Sequence, residues 1–176
     1  MARLFVAARP PAATLDLIAQ ELATAGPSSR WVERDQWHAT LCFLGDADPA
    51  SVADALAALS SPVVEATLGE RARRLGRRVL ALPIEGLDGL AAAVAEVLVR
   101  AGVPGAEPDR PFVGHLTVAR AGRPDGLPRL ELSAAYRAAP ARRFVVREVE
   151  LVRSQLDRDG ARHTVECVVP LAGAAA

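Results

Sequence analysis

The chain has 176 residues, of which 51% are hydrophobic types and 24% are charged, with Lys+Arg 21 set against Asp+Glu 21. That length predicts one compact domain over residues 1–176, or two small lobes sharing a core. Roughly 70% of the unfolded surface is buried at this size, so folding needs neither disulfides nor metals. Zero net charge and a pI near 6.8 exclude a generic polyanion binder held by bulk basic excess, while leaving open a nucleic acid held by a local site. All 21 cations are arginine, and there is no lysine. Schiff-base chemistry, a P-loop lysine and a lysyl-adenylate are therefore excluded, and any phosphate must be held by Arg, His, hydroxyls or backbone N–H groups.

In chain order, the apolar run from Arg3 to Arg9 predicts a strand, stopped by Pro10-Pro11. It is too short for a secretory h-region, and nothing later has the length of a membrane span. Cys42 and Cys167 form no closely spaced pair, as expected of a reducing compartment, so the protein is expected to be cytoplasmic. Pro11 can open a helix over Ala12 to Ala25, where Leu15, Ile18 and Leu22 recur at helical spacing, and Gly26-Pro27 ends it. A strand is expected over Trp37 to Leu44. Asp48-Pro49 then caps a helix through Leu59. Strands are expected over Val63 to Leu68 and Arg78 to Ile84, separated by a loop from Gly69 to Arg77.

The pattern then repeats, with a helix over Leu87 to Arg100, a strand over Phe112 to Arg120 and a loop from Gly122 to Pro128. Phe144 to Leu156 alternates as one long strand. A turn at Asp157 to Gly160 leads to a closing strand over His163 to Leu171, and Gly173 to Ala176 is expected to fray. Strands joined by short turns and mixed with about three helices predict an α+β fold.

Two of the three histidines sit in one local frame, His38-Ala39-Thr40-Leu41 and His115-Leu116-Thr117-Val118. With six threonines in 176 positions, a histidine meets a threonine two places later about 3% of the time, so two matches in three are a poor accident. A single such histidine is usually a hydrogen-bonded residue on a sheet face; a pair argues for a shared site. In a strand, residues i and i+2 lie on one face about 7 Å apart, so each motif presents a His and a Thr to one side and sends its apolar residues to the core. Two such faces would line a wet cleft. Two imidazoles with ordinary pKa values near 6.5 can divide the work of base and acid, and threonine hydroxyls donate without adding charge, which suits in-line displacement at phosphorus. Zinc competes weakly, since there is no His-x-His, His-Glu-x-x-His or Cys pair at ligand spacing. Cys42 continues the His38, Thr40 face and could be a nucleophile, although a cysteine there is more often a small packing residue.

His38-Ala39-Thr40-Leu41-Cys42-Phe43-Leu44-Gly45 and His115-Leu116-Thr117-Val118-Ala119-Arg120 resemble the paired motifs of the two-histidine phosphoesterases, most closely the RNA 2′,3′-cyclic phosphodiesterase family, historically called 2′-5′ RNA ligase. The resemblance extends to Arg3-Leu4-Phe5-Val6-Ala7, to Arg30-Trp31-Val32, and to Ser154-Gln155-Leu156 with Gly160 to Val165. It implies a bilobed α+β fold in which two pseudo-symmetric lobes, with mainly antiparallel sheets, line a central cleft without metal or other cofactor. It also implies hydrolysis of a terminal 2′,3′-cyclic phosphate, on RNA or a nucleoside, to the 2′-phosphate. His115 would activate water, His38 would protonate the leaving oxygen, Thr40 and Thr117 would hold the non-bridging oxygens, and Phe43 and Arg120 would flank the nucleobase. Alternatives are ATP-independent 2′-5′ ligation at the same site and a binding module without turnover.

Gly114 stands where many relatives have proline before the second motif. His163 has no threonine partner and is expected to be an ordinary strand residue. Arg71 to Arg78 is the densest charge cluster, read either as a solvated edge or as a basic lip for longer RNA. No obligate protein partner is evident, and a monomer is expected.

Overall fold

In a computed structural model, residues 2–28, 30–122, 126–157 and 160–172 are described. Most of the elements fall where the apolar periodicity puts them. Strand β1 is Ala2–Ala8, helix α1 Ala12–Ala25, strand β2 Ala39–Gly45 and helix α2 Pro49–Leu56. Strands β3 (Val64–Leu68), β4 (Arg73–Leu75) and β5 (Val79–Glu85) lead to helix α3 (Asp88–Arg100) and strand β6 (His115–Arg120). A short helix α4 (Ala134–Ala138) precedes strands β7 (Arg143–Val146), β8 (Glu148–Asp157) and β9 (Gly160–Pro170). The expected turn at Asp157 to Gly160, the loop at Gly122 to Pro128 and the tail Gly173 to Ala176 lie partly or wholly outside the described residues. Among those residues, no helix is long and apolar enough to cross a membrane.

The strands form one antiparallel sheet in the order β7-β3-β5-β6-β2-β1-β8-β9, with β4 alongside β5. Helices cover one face. Leu15, Ile18 and Leu22 of α1 and Leu90, Ala91, Val94 and Leu98 of α3 share a continuous core with Leu4, Val6 and Ala8 of β1 and Leu116 and Val118 of β6. On the opposite face of β1, Phe5 and Ala7 join Val152 in a small separate cluster. The helix-free face is therefore the one that can form a cleft.

Two expectations are corrected and one element is new. The loop expected over Gly69 to Arg77 contains β4, which forms a hairpin with β5 around Gly76, whose φ of +62° is easy only for glycine. The long strand expected from Phe144 is two strands with different partners: β7 pairs with β3, whereas β8 pairs with β1 and β9. The apolar residues shift phase between them, from Phe144 and Val146 to Val149 and Leu151. α4 was not foreseen; Ser133 caps it and is itself held by Glu21 of α1, whose carboxylate accepts from the Ser133 amide at 2.8 Å and hydroxyl at 2.7 Å.

The halves of the sheet meet between β2 and β6, through the recorded pair Ala39↔Leu116. The overlap is short because β2 begins at Ala39 and β6 at His115, so going forward along either strand leads away from the other. Beyond the seam, the segment Arg30 to Val32 takes over the edge of β6: the Val32 amide donates to Val118 at 2.9 Å, and the Arg120 amide donates to Arg30 at 2.9 Å. Leu116 is fully buried in the core beneath this junction. Leu116→Ala is expected to cost about 3 kcal/mol through lost burial and a cavity, read from the urea unfolding midpoint; a loss below about 1 kcal/mol would mean that the seam is not tightly packed.

Candidate active site

Antiparallel pairing places the neighbours of a matched pair opposite each other and on the same side. Since Ala39 faces Leu116 and both point to the core, His38 comes opposite Thr117 and Thr40 opposite His115, all four on the helix-free face. The two histidines are then diagonal neighbours, about 7–8 Å apart with their Cβ atoms somewhat closer. The four motif side chains are each half-buried. This makes a near-twofold polar square around the Ala39–Leu116 pair, with an imidazole at opposite corners.

Each motif strand carries a one-residue irregularity just after its threonine. In β2, Thr40 pairs with Ala7 but Cys42 with Val6, so Leu41 is extra; in β6, Thr117 pairs with Ala81 and Ala119 with Leu80, so Val118 is extra. The bulge changes which later residues face the cleft. Cys42 is matched with core-facing Val6, packs against the main core, and has its Sγ 3.9 Å from the Ala106 carbonyl. The expectation that Cys42 shares the face of His38 and Thr40 is thus overturned, and burial pushes its thiol pKa up, away from thiolate. In its place Phe43, matched with Phe5, comes to the cleft face and is 55% exposed. The second bulge does the same for Arg120, which is matched with Val79, two residues from Ala81 on the same face. Both candidate base-flanking residues therefore stand on the face of the motif square.

The imidazoles are oriented alike. His38 Nδ1 lies 2.6 Å from the Gln36 carbonyl, and His115 Nδ1 lies 2.7 Å from the Val113 carbonyl. A carbonyl only accepts, so each Nδ1 carries the proton, which leaves Nε2 of the neutral ring with its lone pair for chemistry. The entry to β6 is tight: Gly114 accepts from the Ile84 amide at 2.9 Å, and a Cβ at Gly114 would collide with the Ile84 carbonyl oxygen. Gly114 thus lets the strand approach closely here.

The surroundings of the two rings differ. His38 stacks on Phe5, with centroids 4.8 Å apart and planes at 24°, and meets His163 edge-on at 5.3 Å. Burial, with His163, Arg9 and Arg120 as neighbouring cations, lowers the His38 pKa to about 4 despite the Gln36 hydrogen bond. His163 also meets Phe5 at 5.3 Å, its pKa is lowered by burial and by the nearby Arg120 and Arg9, and its Nδ1 is buried without a partner.

The sequence reading missed the groups that brace His38. Arg9 donates to both oxygens of Glu150, forming an ion pair at 3.2 Å, and its other arm donates to the carbonyls of Asp35 at 2.7 Å and Trp37 at 3.4 Å. Gln36 Nε2 donates to the Ala161 carbonyl at 2.9 Å. The turn that presents the Gln36 carbonyl to His38 is thereby fixed from β8 and β9. Nothing about an arginine at a strand end marks this role. His163, expected to be an ordinary strand residue, also belongs to this group: the β8–β9 register pairs it with Ser154, on the same face as Val152 and Phe5.

Among the described residues there is no group of three or more His, Cys, Asp or Glu placed to hold a metal ion. The chain matches the 2′-5′ RNA ligase superfamily over residues 4–158. It belongs to that superfamily. It is 30% identical over 161 residues to the RNA 2′,3′-cyclic phosphodiesterase of Geobacillus stearothermophilus, covering 84% of this chain and 49% of that protein, so the chain spans about half the length of this curated relative. Among solved structures it resembles E. coli LigT in its apo form, with TM-score 0.72, 29% identity and 96% of each chain covered. It also resembles E. coli LigT complexed with 3′-AMP, with TM-score 0.71, 26% identity and 97% of each chain covered.

The low His38 pKa has a consequence for stability. Between about pH 4 and 6.5 the unfolded chain binds a proton at His38 that the folded protein does not, so this contribution is fully present above 6.5 and lost as pH falls through about 4. Lowering the pH across that window is expected to cost about 3 kcal/mol more in the native protein than in His38→Gln, read from urea unfolding at each pH. Parallel pH profiles for the two proteins would show that His38 is not held neutral.

Proposed function

We propose that the protein is a phosphodiesterase that hydrolyses the 2′,3′-cyclic phosphate of an RNA end or nucleoside to the 2′-phosphate, without a metal or other cofactor. The observation that carries this reading is the motif square: two imidazoles on a diagonal, each with a free Nε2, and a hydroxyl at each remaining corner. The family and the cyclic phosphodiesterase relative support the reaction class.

The phosphoryl group would sit over the square, its non-bridging oxygens taking hydrogen bonds from Thr40 and Thr117. His115 Nε2 accepts a proton from water as the water oxygen bonds to phosphorus. The P–O3′ bond breaks on the far side, and His38 Nε2–H gives its proton to the departing O3′. One water is consumed, and the product is a 2′-monoester with a free 3′-hydroxyl. Phe43 and Arg120 would hold the base between an aromatic face and a guanidinium plane.

His38 must enter this step protonated, although burial keeps it neutral in the empty site. The substrate supplies the difference. An anion 4 Å away at an effective dielectric near 20 gains the imidazolium about 4 kcal/mol, which outweighs the cost of burial and restores the proton near neutral pH. In a second reading a 5′-hydroxyl of another RNA takes the place of water: its oxygen bonds to phosphorus as His115 Nε2 takes its proton, the P–O3′ bond breaks, O3′ takes the proton of His38, and a 2′-5′ phosphodiester forms without ATP; the superfamily's ligase name is the observation that favours this second reading.

Incubation with a nucleoside 2′,3′-cyclic phosphate in EDTA, with the product separated by chromatography, is expected to yield the 2′-phosphate. His38→Ala and His115→Ala are each expected to lower kcat by at least about a hundredfold. A 3′-phosphate product, abolition by EDTA, or near-native turnover in either variant would contradict the proposal.

A further inference from the structure

Five of the eight residues from 71 to 78 are arginine: Arg71, Arg73, Arg74, Arg77 and Arg78. All five are exposed, and none of them belongs to an ion pair found among the described residues. In a chain with zero net charge, this hairpin is a local concentration of cations without compensating acids.

The register ties it to the motif square. Arg73 of β4 pairs with Ala81 of β5, and Ala81 pairs with Thr117 of β6. Directly paired residues project to the same side, so Arg73 stands on the cleft face, two strand spacings or about 10 Å from Thr117. Arg120 lies further along β6 on that face, level with Val79 and Leu75 on the side of the hairpin turn. Arg74 has the opposite orientation, because its partner Leu80 belongs to the core.

We infer that the cleft side of the β4–β5 hairpin, led by Arg73, is a subsite for the backbone phosphates of an RNA strand upstream of its cyclic end. This rests on the proposed reaction at the motif square and names the longer substrate that square would serve. The chemistry fits: a guanidinium presents paired donors that match phosphate oxygens, and the strip begins two strand spacings from Thr117 on the same face. Its continuity with the phosphate-holding face selects a nucleic-acid strand over an acidic protein or a membrane, neither of which has reason to begin at Thr117. The zero net charge is no obstacle, since the strip supplies the field where the strand would lie.

The test compares kcat/KM for a mononucleoside 2′,3′-cyclic phosphate and for a six-nucleotide RNA ending in the same group, at several salt concentrations, in the native protein, Arg73→Gln and Arg74→Gln. Binding of the corresponding 2′-phosphate products is measured in parallel by calorimetry. Arg73→Gln is expected to lower kcat/KM and affinity for the hexanucleotide about tenfold. It should also reduce the slope of log affinity against log salt by about 0.7, and it should leave the mononucleotide within twofold. Arg74→Gln is expected to change neither substrate more than twofold. Equal losses on both substrates, no loss on the hexanucleotide, or an Arg74 effect as large as that of Arg73 would overturn the inference. If the native protein turns over neither substrate, the proposed reaction fails, while the binding comparison still decides the subsite.

Discussion

The site depends on one antiparallel contact, the pairing of Ala39 with Leu116 where the two halves of the sheet meet. Two His-x-Thr segments facing each other in this register have one geometric outcome. Their apolar residues enter the helix-covered core, and their polar residues form a square on the other face with the histidines diagonal. A slip of one residue would send a histidine into the core, where an unpaired imidazole is costly. The seam is short because the strands overlap only over the motifs, so the structural junction and the chemical site are made by the same few residues.

Pseudo-symmetry places like groups but does not make them equivalent. Both imidazoles are held by the carbonyl two residues earlier, yet His38 is boxed by Phe5 and His163 and braced through Arg9 and Glu150. The packing around His38 favours its neutral form by desolvation. An anion arriving beside the buried ring changes its protonation more than it would that of a solvated one. In the proposed reaction, substrate binding and proton loading would become one event.

The amino-acid sequence disclosed the parts of this arrangement that follow a period. Helices α1 and α3 and the strands carrying the motifs are legible from apolar spacing, and the motif pair is legible because a period of two fixes which side chains share a face. The bulges are not legible, since Leu41 and Val118 are ordinary apolar residues and the extra position exists only relative to a partner strand. This is why Cys42 looked like a cleft residue, while Phe43 and Arg120 came in through the resemblance and not through the alternation. β4 was hidden because arginines at an edge read as loop. The division of β7 from β8 left only a phase shift around Arg147, and the role of His163 needed the order β1-β8-β9, which no local pattern encodes.

The claim that two histidines on opposite sides of one phosphorus drive a single in-line displacement is tested most directly by stereochemistry. A single diastereomer of a nucleoside 2′,3′-cyclic phosphorothioate would be hydrolysed in water enriched in oxygen-18, and the configuration of the chiral product determined. Direct attack by water opposite the leaving 3′ oxygen predicts inversion at phosphorus. Retention would require two displacements through a covalent phosphoryl-protein species, and would contradict the account.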